Sequence, residues 1–325
     1  MPDDHYVART YLKHFAGDSG KLRAYRKSNG KTFPCATKDI CTELDGDIIP
    51  EFLIDDKLLG KYRKIFEGAW NPAVEALQKR VVDRDTKLHI AGYWANLLIG
   101  TPTWKRTGID LYNQNIEYNL RARAALAREN GHPEELLEQG IKALDSGQLR
   151  IAVEGDYIRA QGALFALRYA WKLYNADWHV YENKTETPFI TSDNPCSFED
   201  DPTWGKREHA LYLPITPKLC LTCDLTKQRD LPDQPDFAKA PRGKVTGSDA
   251  SLETIRRINV ITAKSAEDLI LTGEESDYGQ LLATTYAKYH VEHESQMVRQ
   301  GKAYLIGARS RVIPRKPISA GAKPA

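Results

Sequence analysis

The stretch ADWHVYENKTETPFITSDNPCSFED, Ala176 to Asp200, decides how this chain is read. Upstream of it, from about 55 to 175, apolar residues recur at helical spacing. At Ala176 the texture changes. ADWHVYEN and TPFITS are short, rich in β-branched and aromatic residues, and separated by turn-forming ones, which is strand chemistry. ALYLPIT (210–216) and KLCLTCDL (218–225) continue it. The segment is therefore the point where a helical layer gives way to a sheet.

Working outward, the chain before the helices also carries strand signals. KLRAYRK (21–27) alternates, SNG (28–30) is a hairpin turn, and KTFPC (31–35) returns, with Pro34 placing it at an edge. HYVARTYLKHF (5–15) has Tyr6, Val7, Tyr11, Leu12 and Phe15 at helical steps and reads as one helix. In the middle, Asp55 and Asp56 are caps for a helix with Leu59, Tyr62, Phe66 and Trp70 on one face. Asn71-Pro72 restarts it at a kink. Further helices are predicted over Thr86–Ile99, Trp104–Asn130, the PEELLEQGIKALDSG segment, and Asp156–Lys172. The last of these has Leu164, Leu167 and Trp171 facing inward. Thr226–Ser248 reads as a long exposed loop, SLETIRRINVITAKSAEDLIL (251–271) as one helix and AYLIGARS (303–310) as a last strand. The expected fold class is α+β: a small mixed, mainly antiparallel sheet built from both chain ends with a large all-helical insert. The expected division is a discontinuous core (1–54 and 176–308), a helical insert (55–175) and a basic disordered tail (309–325).

Composition bounds the partners. Hydrophobic residues are 41%, charged residues 28% and the net charge is +2, so the total charge points to no nucleic-acid partner. The five cysteines (35, 41, 196, 220, 223) include one C-x-x-C, but alternation puts Cys220 and Cys223 on opposite strand faces. That argues against a shared metal and for buried thiols. The N-terminus has no signal-peptide pattern and no apolar run reaches the ~20 residues of a membrane helix. A cytoplasmic protein without a membrane partner is the expectation.

Two motifs together resemble a family. Its members, mostly bacterial, open with His-Tyr-x-Pro-x-x-x-Leu-x-x-Phe and later carry Thr-Ser-Asp-Asn-Pro. Here His5, Tyr6 and Leu12 stand in place, Ala8 replaces the proline, and Thr191-Ser192-Asp193-Asn194-Pro195 is intact. Asn259 and Ala263 resemble the family's late Asn-x-x-x-Ala helix. The resemblance spans about 5 to 305. It is a domain of unknown function, so the kinship implies site candidates (His5, Asp193, Asn194) and no reaction.

Asp193 has two readings. Asp-Asn before proline closes a strand as an Asx-turn, its side chain satisfying backbone N–H groups. Alternatively, a carboxylate at a strand end beside Ser192 acts as a base or ligates a divalent metal. His5, which titrates near neutrality, is the companion in acid/base chemistry. Arg9, one turn further along the expected helix, would hold an anion with it. Tyr6, Lys13, Arg23 and Arg26, interleaved with aromatics, read either as a phosphate-backbone surface for RNA or DNA or as a solvated strand face. Arg257 beside Asn259 could meet a phosphate or face solvent. His290 and His293 share a face only if their segment is helical. Gly-rich phosphate loops, nucleophile elbows and dinucleotide fingerprints are absent. The leading functional expectation is a phosphodiester-cleaving enzyme, a nuclease with a defence or toxin-like role. The alternatives are a non-catalytic nucleic-acid-binding module and a scaffold that binds a partner.

Overall fold

A computed structural model describes residues 3–49, 55–199, 210–225, 236–237, 243–301 and 303–314. The chain begins with strand β1 (Asp3–His5), helix α1 (Arg9–Leu12), a 3-10 turn (Lys13–Phe15), and strands β2 (Lys21–Arg26), β3 (Thr32–Ala36) and β4 (Thr42–Leu44). Six helices follow: α2 (Leu58–Glu67), α3 (Trp70–Gln78), α4 (Arg84–Ile99), α5 (Pro102–Glu129), α6 (Glu135–Asp145) and α7 (Gly155–Asn175). Then come β5 (Asp177–Glu182), β6 (Thr191–Ser192), β7 (Ser197–Phe198), β8 (Ala210–Thr216), β9 (Leu219–Asp224) and β10 (Val245–Asp249). Helix α8 (Leu252–Ser265), strand β11 (Leu269–Thr272), helix α9 (Asp277–Thr285) and a long hairpin, β12 (Tyr289–Gln300) with β13 (Ala303–Pro314), complete it.

The fold is α+β, with mainly antiparallel sheets drawing strands from both ends of the chain. One sheet runs β3-β2-β11-β6 and so joins the N-terminal hairpin to strands from the second half. Another runs β10-β5-β9-β8-β7, in which β10–β5 is parallel. One hydrophobic cluster spans both regions: Tyr11 and Leu22 pack with Trp70, Trp94 and Trp171 of the helices and with Trp178, Leu213 and Leu221 of the five-stranded sheet. Trp70 and Tyr93 stack at 4.0 Å. Among the described residues no helix is long and apolar enough to cross a membrane.

Local chemistry explains several boundaries. The Asp83 carboxylate accepts from Thr86 N at 2.8 Å and caps α4. Thr101 caps α5, and Pro102 occupies its first turn, where the missing N–H costs nothing. In the β2–β3 hairpin Gly30 has φ +69°, a left-handed conformation that glycine adopts freely, and its N–H bonds Arg26 O at 2.9 Å. Cys223 and Cys220 lie on opposite faces of β9, in separate core clusters.

Several expectations are corrected. Residues 5–15 are not one helix: His5 pairs with Thr42 at the end of β1, and helix begins only at Arg9. His5 and Arg9 therefore share no helix face. Asp55 stands outside α2, whose N-cap residue is Lys57. Leu164 and Leu167 are about half exposed; Trp171 is buried as expected, and its buried companions on α7 are Ile158, Ala166 and Ala170. The expected helix 251–271 stops at Ser265, because Leu269–Thr272 pairs with β2 and β6. Val245–Ser248, placed in a loop, belongs to β10, and the rest of that stretch is mostly outside the described residues. The hairpin extends to Pro314, so the first six residues of the expected disordered tail are strand, while 315–325 lie outside the described residues. For His290 and His293 the sequence left helix and strand open, and both sit on β12.

Candidate functional site

The Thr-Ser-Asp-Asn-Pro segment leaves β6 and turns beneath the junction of α8 and β11. Asp193 is 3% exposed. Its Oδ1 accepts from Glu267 N at 2.9 Å, and its Oδ2 from Asp268 N and Leu269 N, both at 2.8 Å. Its own N–H donates to Leu269 O. Burial pushes this carboxyl up to about 7, against the lowering pull of the Asp268 and Leu269 amides. Ser192 Oγ accepts from Asn194 N at 3.2 Å. Asn194 Nδ2 donates to Ser265 O at 2.8 Å, and Thr101 Oγ1 reaches Asn194 Oδ1. From α8, Asn259 accepts Ile190 N at 3.0 Å and donates to Pro188 O at 2.9 Å. The residues that carry the family resemblance thus tie 188–194 to the middle and the C-terminal end of α8.

The other expected site residues are distributed differently. The His5 ring meets Thr37 O at 3.2 Å. Burial, then Cys41 and Asp193, all raise the Tyr6 hydroxyl above the ordinary tyrosine value. Arg23 pairs with Glu275 at 2.6 Å, and Arg26 with Asp268 at 2.8 Å. Arg257 forms a fork with Glu199 beside the Tyr212 hydroxyl. Arg9 and Lys13 are exposed, but the aromatic residues Tyr11, Phe15 and Tyr25 beside them are buried. A stacking surface for bases is therefore not formed by these three rings. Among the described residues, no group of three or more His, Cys, Asp or Glu could hold a metal ion. The metal expected at Asp193 has no such companions there.

A cavity of about 500 Å³ adjoins the turn, in the size range of small-molecule sites. Asn194 and Cys196 form its floor. Helix α5 contributes Thr103, Trp104, Thr107 and Leu111, with Thr101 at its cap; α7 contributes Tyr169, Lys172 and Leu173. The five-stranded sheet adds Phe198 and Leu211, and Leu225 follows it. The long hairpin closes a side with Val291, His293, Arg309 and Ser310. The clamp and the cavity are connected. Glu267, whose amide is held by Asp193, accepts from Thr103 Oγ1 at 2.9 Å and from Arg106 through a two-point fork at 2.8 and 2.9 Å. Arg106 in turn donates to Val291 O at 2.7 Å. Across the hairpin, His293 Nδ1 and Ser310 Oγ lie 2.8 Å apart. Burial and the Arg106 charge hold His293 below the ordinary histidine range, with Glu292 opposing them. It is neutral at pH 7 and able to take a proton.

Sequence reasoning reached Asn194, and His293 only as half of a metal pair, and missed the rest of this lining. Thr103 and Thr107, four apart on α5, were the available signal; their helical spacing puts them on one face. Nothing local marks Arg309 or Ser310.

A family model described as "Protein of unknown function (DUF4238)" matches residues 4–276. No curated protein and no solved structure matches the chain. The matched span ends before the β12–β13 hairpin, whereas the resemblance drawn from the motifs ran to about 305.

Proposed function

The chain belongs to the DUF4238 family of proteins of unknown function, and we propose that it binds a small, largely apolar molecule in the cavity beside the Thr-Ser-Asp-Asn-Pro turn. One observation carries this: a half-open space of about 500 Å³ with aromatic and aliphatic walls and a few polar groups, Asn194, Thr101, Thr103 and Thr107 among them. Apolar burial drives entry and the polar groups orient the ligand. Titration with 2-naphthylmethanol is expected to raise the melting temperature, since a ligand of the folded state stabilises it by mass action. Leu111→Trp, which fills the cavity, is expected to abolish that shift while the apo protein still melts cooperatively. An equal shift in both proteins, or none in either, would sink the proposal.

Phosphodiester cleavage is the second reading. It is supported by His293, Lys172 and Arg309 around the same cavity: a neutral histidine to move a proton and two cations for phosphate. On this reading Asp193, whose oxygens hold three amides, positions the wall and His293 is the proton-transfer group. Labelled RNA and DNA, with and without divalent metal, are expected to be cleaved by the wild type and spared by His293→Ala. Absence of cleavage by the wild type removes this reading and leaves binding.

A further inference from the structure

We infer that the ligand of the cavity is an organic anion, an aromatic or aliphatic body bearing one carboxylate-like group that the β12–β13 hairpin recognises. The inference rests on the binding proposal above and adds the ligand's charge. Two of the lining residues, Lys172 and Arg309, are cations, His293 is a titratable neighbour, and among the described residues no Asp or Glu lines the space. In a chain with nearly balanced charge, 46 basic and 44 acidic residues, a wall of one sign is a selective feature. Three described carboxylates beside the lining are already paired, the first being Glu292, with His290 and with Arg106 at 3.7 Å. Glu267 lies behind Thr103, held by Arg106. Glu294 draws on Arg309 at 3.6 Å and on Arg311 at 3.2 Å. Arg309 keeps 56% of its side chain exposed, so a guanidinium fork can still turn to a ligand carboxylate.

The hairpin sets the chemistry of this wall. His293 and Ser310 are directly opposed across the two strands, and Glu294 faces Arg309 in the next position. Hydroxyl and imidazole share one rung and one face of the hairpin, while Arg309 leaves the next rung from the opposite face and, more than half exposed, meets the cavity at its rim; none of them belongs to the span matched by the family model. Body and head are supplied by different elements: Trp104, Tyr169 and Phe198 offer aromatic walls for a flat ring system. Because His293 is neutral at pH 7, acidification through its depressed range adds a third positive charge, and anion affinity should rise as pH falls. Arg106 and Glu292 face the same imidazole, the first opposing its protonation and the second favouring it.

The test compares three probes of one shape by calorimetry: 2-naphthoate, 2-naphthylmethanol and 2-naphthylmethylamine, against wild type, Arg309→Gln and Leu111→Trp. Naphthoate is expected to bind wild type at least about tenfold tighter than the alcohol, the scale of one charge-assisted hydrogen bond, with the amine weakest. Arg309→Gln should erase most of that preference and leave the alcohol unchanged, and Leu111→Trp should lose all three. Equal binding of naphthoate and alcohol overturns the anion inference while the cavity proposal stands. Failure of all three probes overturns both, and preference for the amine reverses the assigned charge.

Discussion

Asp193→Asn is expected to melt roughly 5–10 °C below the wild type. The estimate is a loss of about 2–3 kcal/mol for mispaired buried donors, at roughly 2–4 °C per kcal/mol for a large domain. Asparagine keeps the shape of aspartate and one carbonyl oxygen. Its amide nitrogen, however, must face N–H groups that now meet a carboxylate oxygen, either Glu267 N or the pair from Asp268 and Leu269. Donor would face donor in a site that is 3% exposed. The comparison substitution Ser192→Ala, which removes one hydrogen bond to Asn194 N, should cost only about 1 kcal/mol. An Asp193→Asn protein that melts with the wild type would show that the clamp contributes nothing.

The same pair carries a pH prediction. Burial holds Asp193 at about 7 in the folded chain, above the ~3.9 of an unfolded aspartate. Between those values the folded chain binds a proton that the unfolded chain has released. Stability from this group is therefore full below about pH 4 and is lost as pH rises through about 7. Asparagine has no such titration. The gap in melting temperature between wild type and Asp193→Asn should be widest near the acid end and narrow toward about pH 8. A gap independent of pH would mean that the three amides keep Asp193 ionised throughout.

The helices between 58 and 175 announce themselves, because caps such as Asp83 and Thr101 and the Pro102 start are local signals. The junction at Ala176 is equally local. Strand β11 was not legible: Leu269, Ile270 and Leu271 continue the apolar pattern of α8, and only pairing with β2 and β6 makes them a strand. Asp193 was visible as a residue and ambiguous as a role. Its local chemistry favoured a turn, yet the amides it satisfies lie 74 to 76 positions away. The hydrogen bonds it makes are those of the turn reading, extended over a distance that no Asx-turn describes. The basic hairpin misled for a related reason. Arg23 and Arg26 look free in the sequence, and their partners Glu275 and Asp268 come from a distant segment. The cavity draws its walls from helices, sheet and hairpin, so no single stretch could display it.

Lys27→Met is expected to lower the melting temperature by a comparable 5–10 °C, again from about 2–4 kcal/mol, and to weaken cavity binding in the protein that remains folded. Lys27 is buried at 5% exposure just past β2. Its ammonium donates to Ala263 O at 3.0 Å, Ala266 O at 2.7 Å and Tyr289 O at 2.7 Å. Two of those carbonyls terminate α8, where the helix leaves C=O groups unsatisfied and the dipole is negative. The third opens β12. Methionine retains the apolar stem but no donor, so three carbonyls lose their common partner. Lys21→Met, an exposed lysine on the same strand, should stay within about 0.5 kcal/mol of wild type. The functional consequence follows from the third bond. Four residues after Tyr289, the same strand places His293 on the cavity wall. Freeing Tyr289 O loosens the entry of β12 and with it the wall that meets the ligand's head. Naphthoate affinity should therefore fall in Lys27→Met by more than the affinity of the neutral alcohol, whose contacts are with helices and sheet. Equal losses for the two probes would place the damage in the whole cavity rather than in the hairpin.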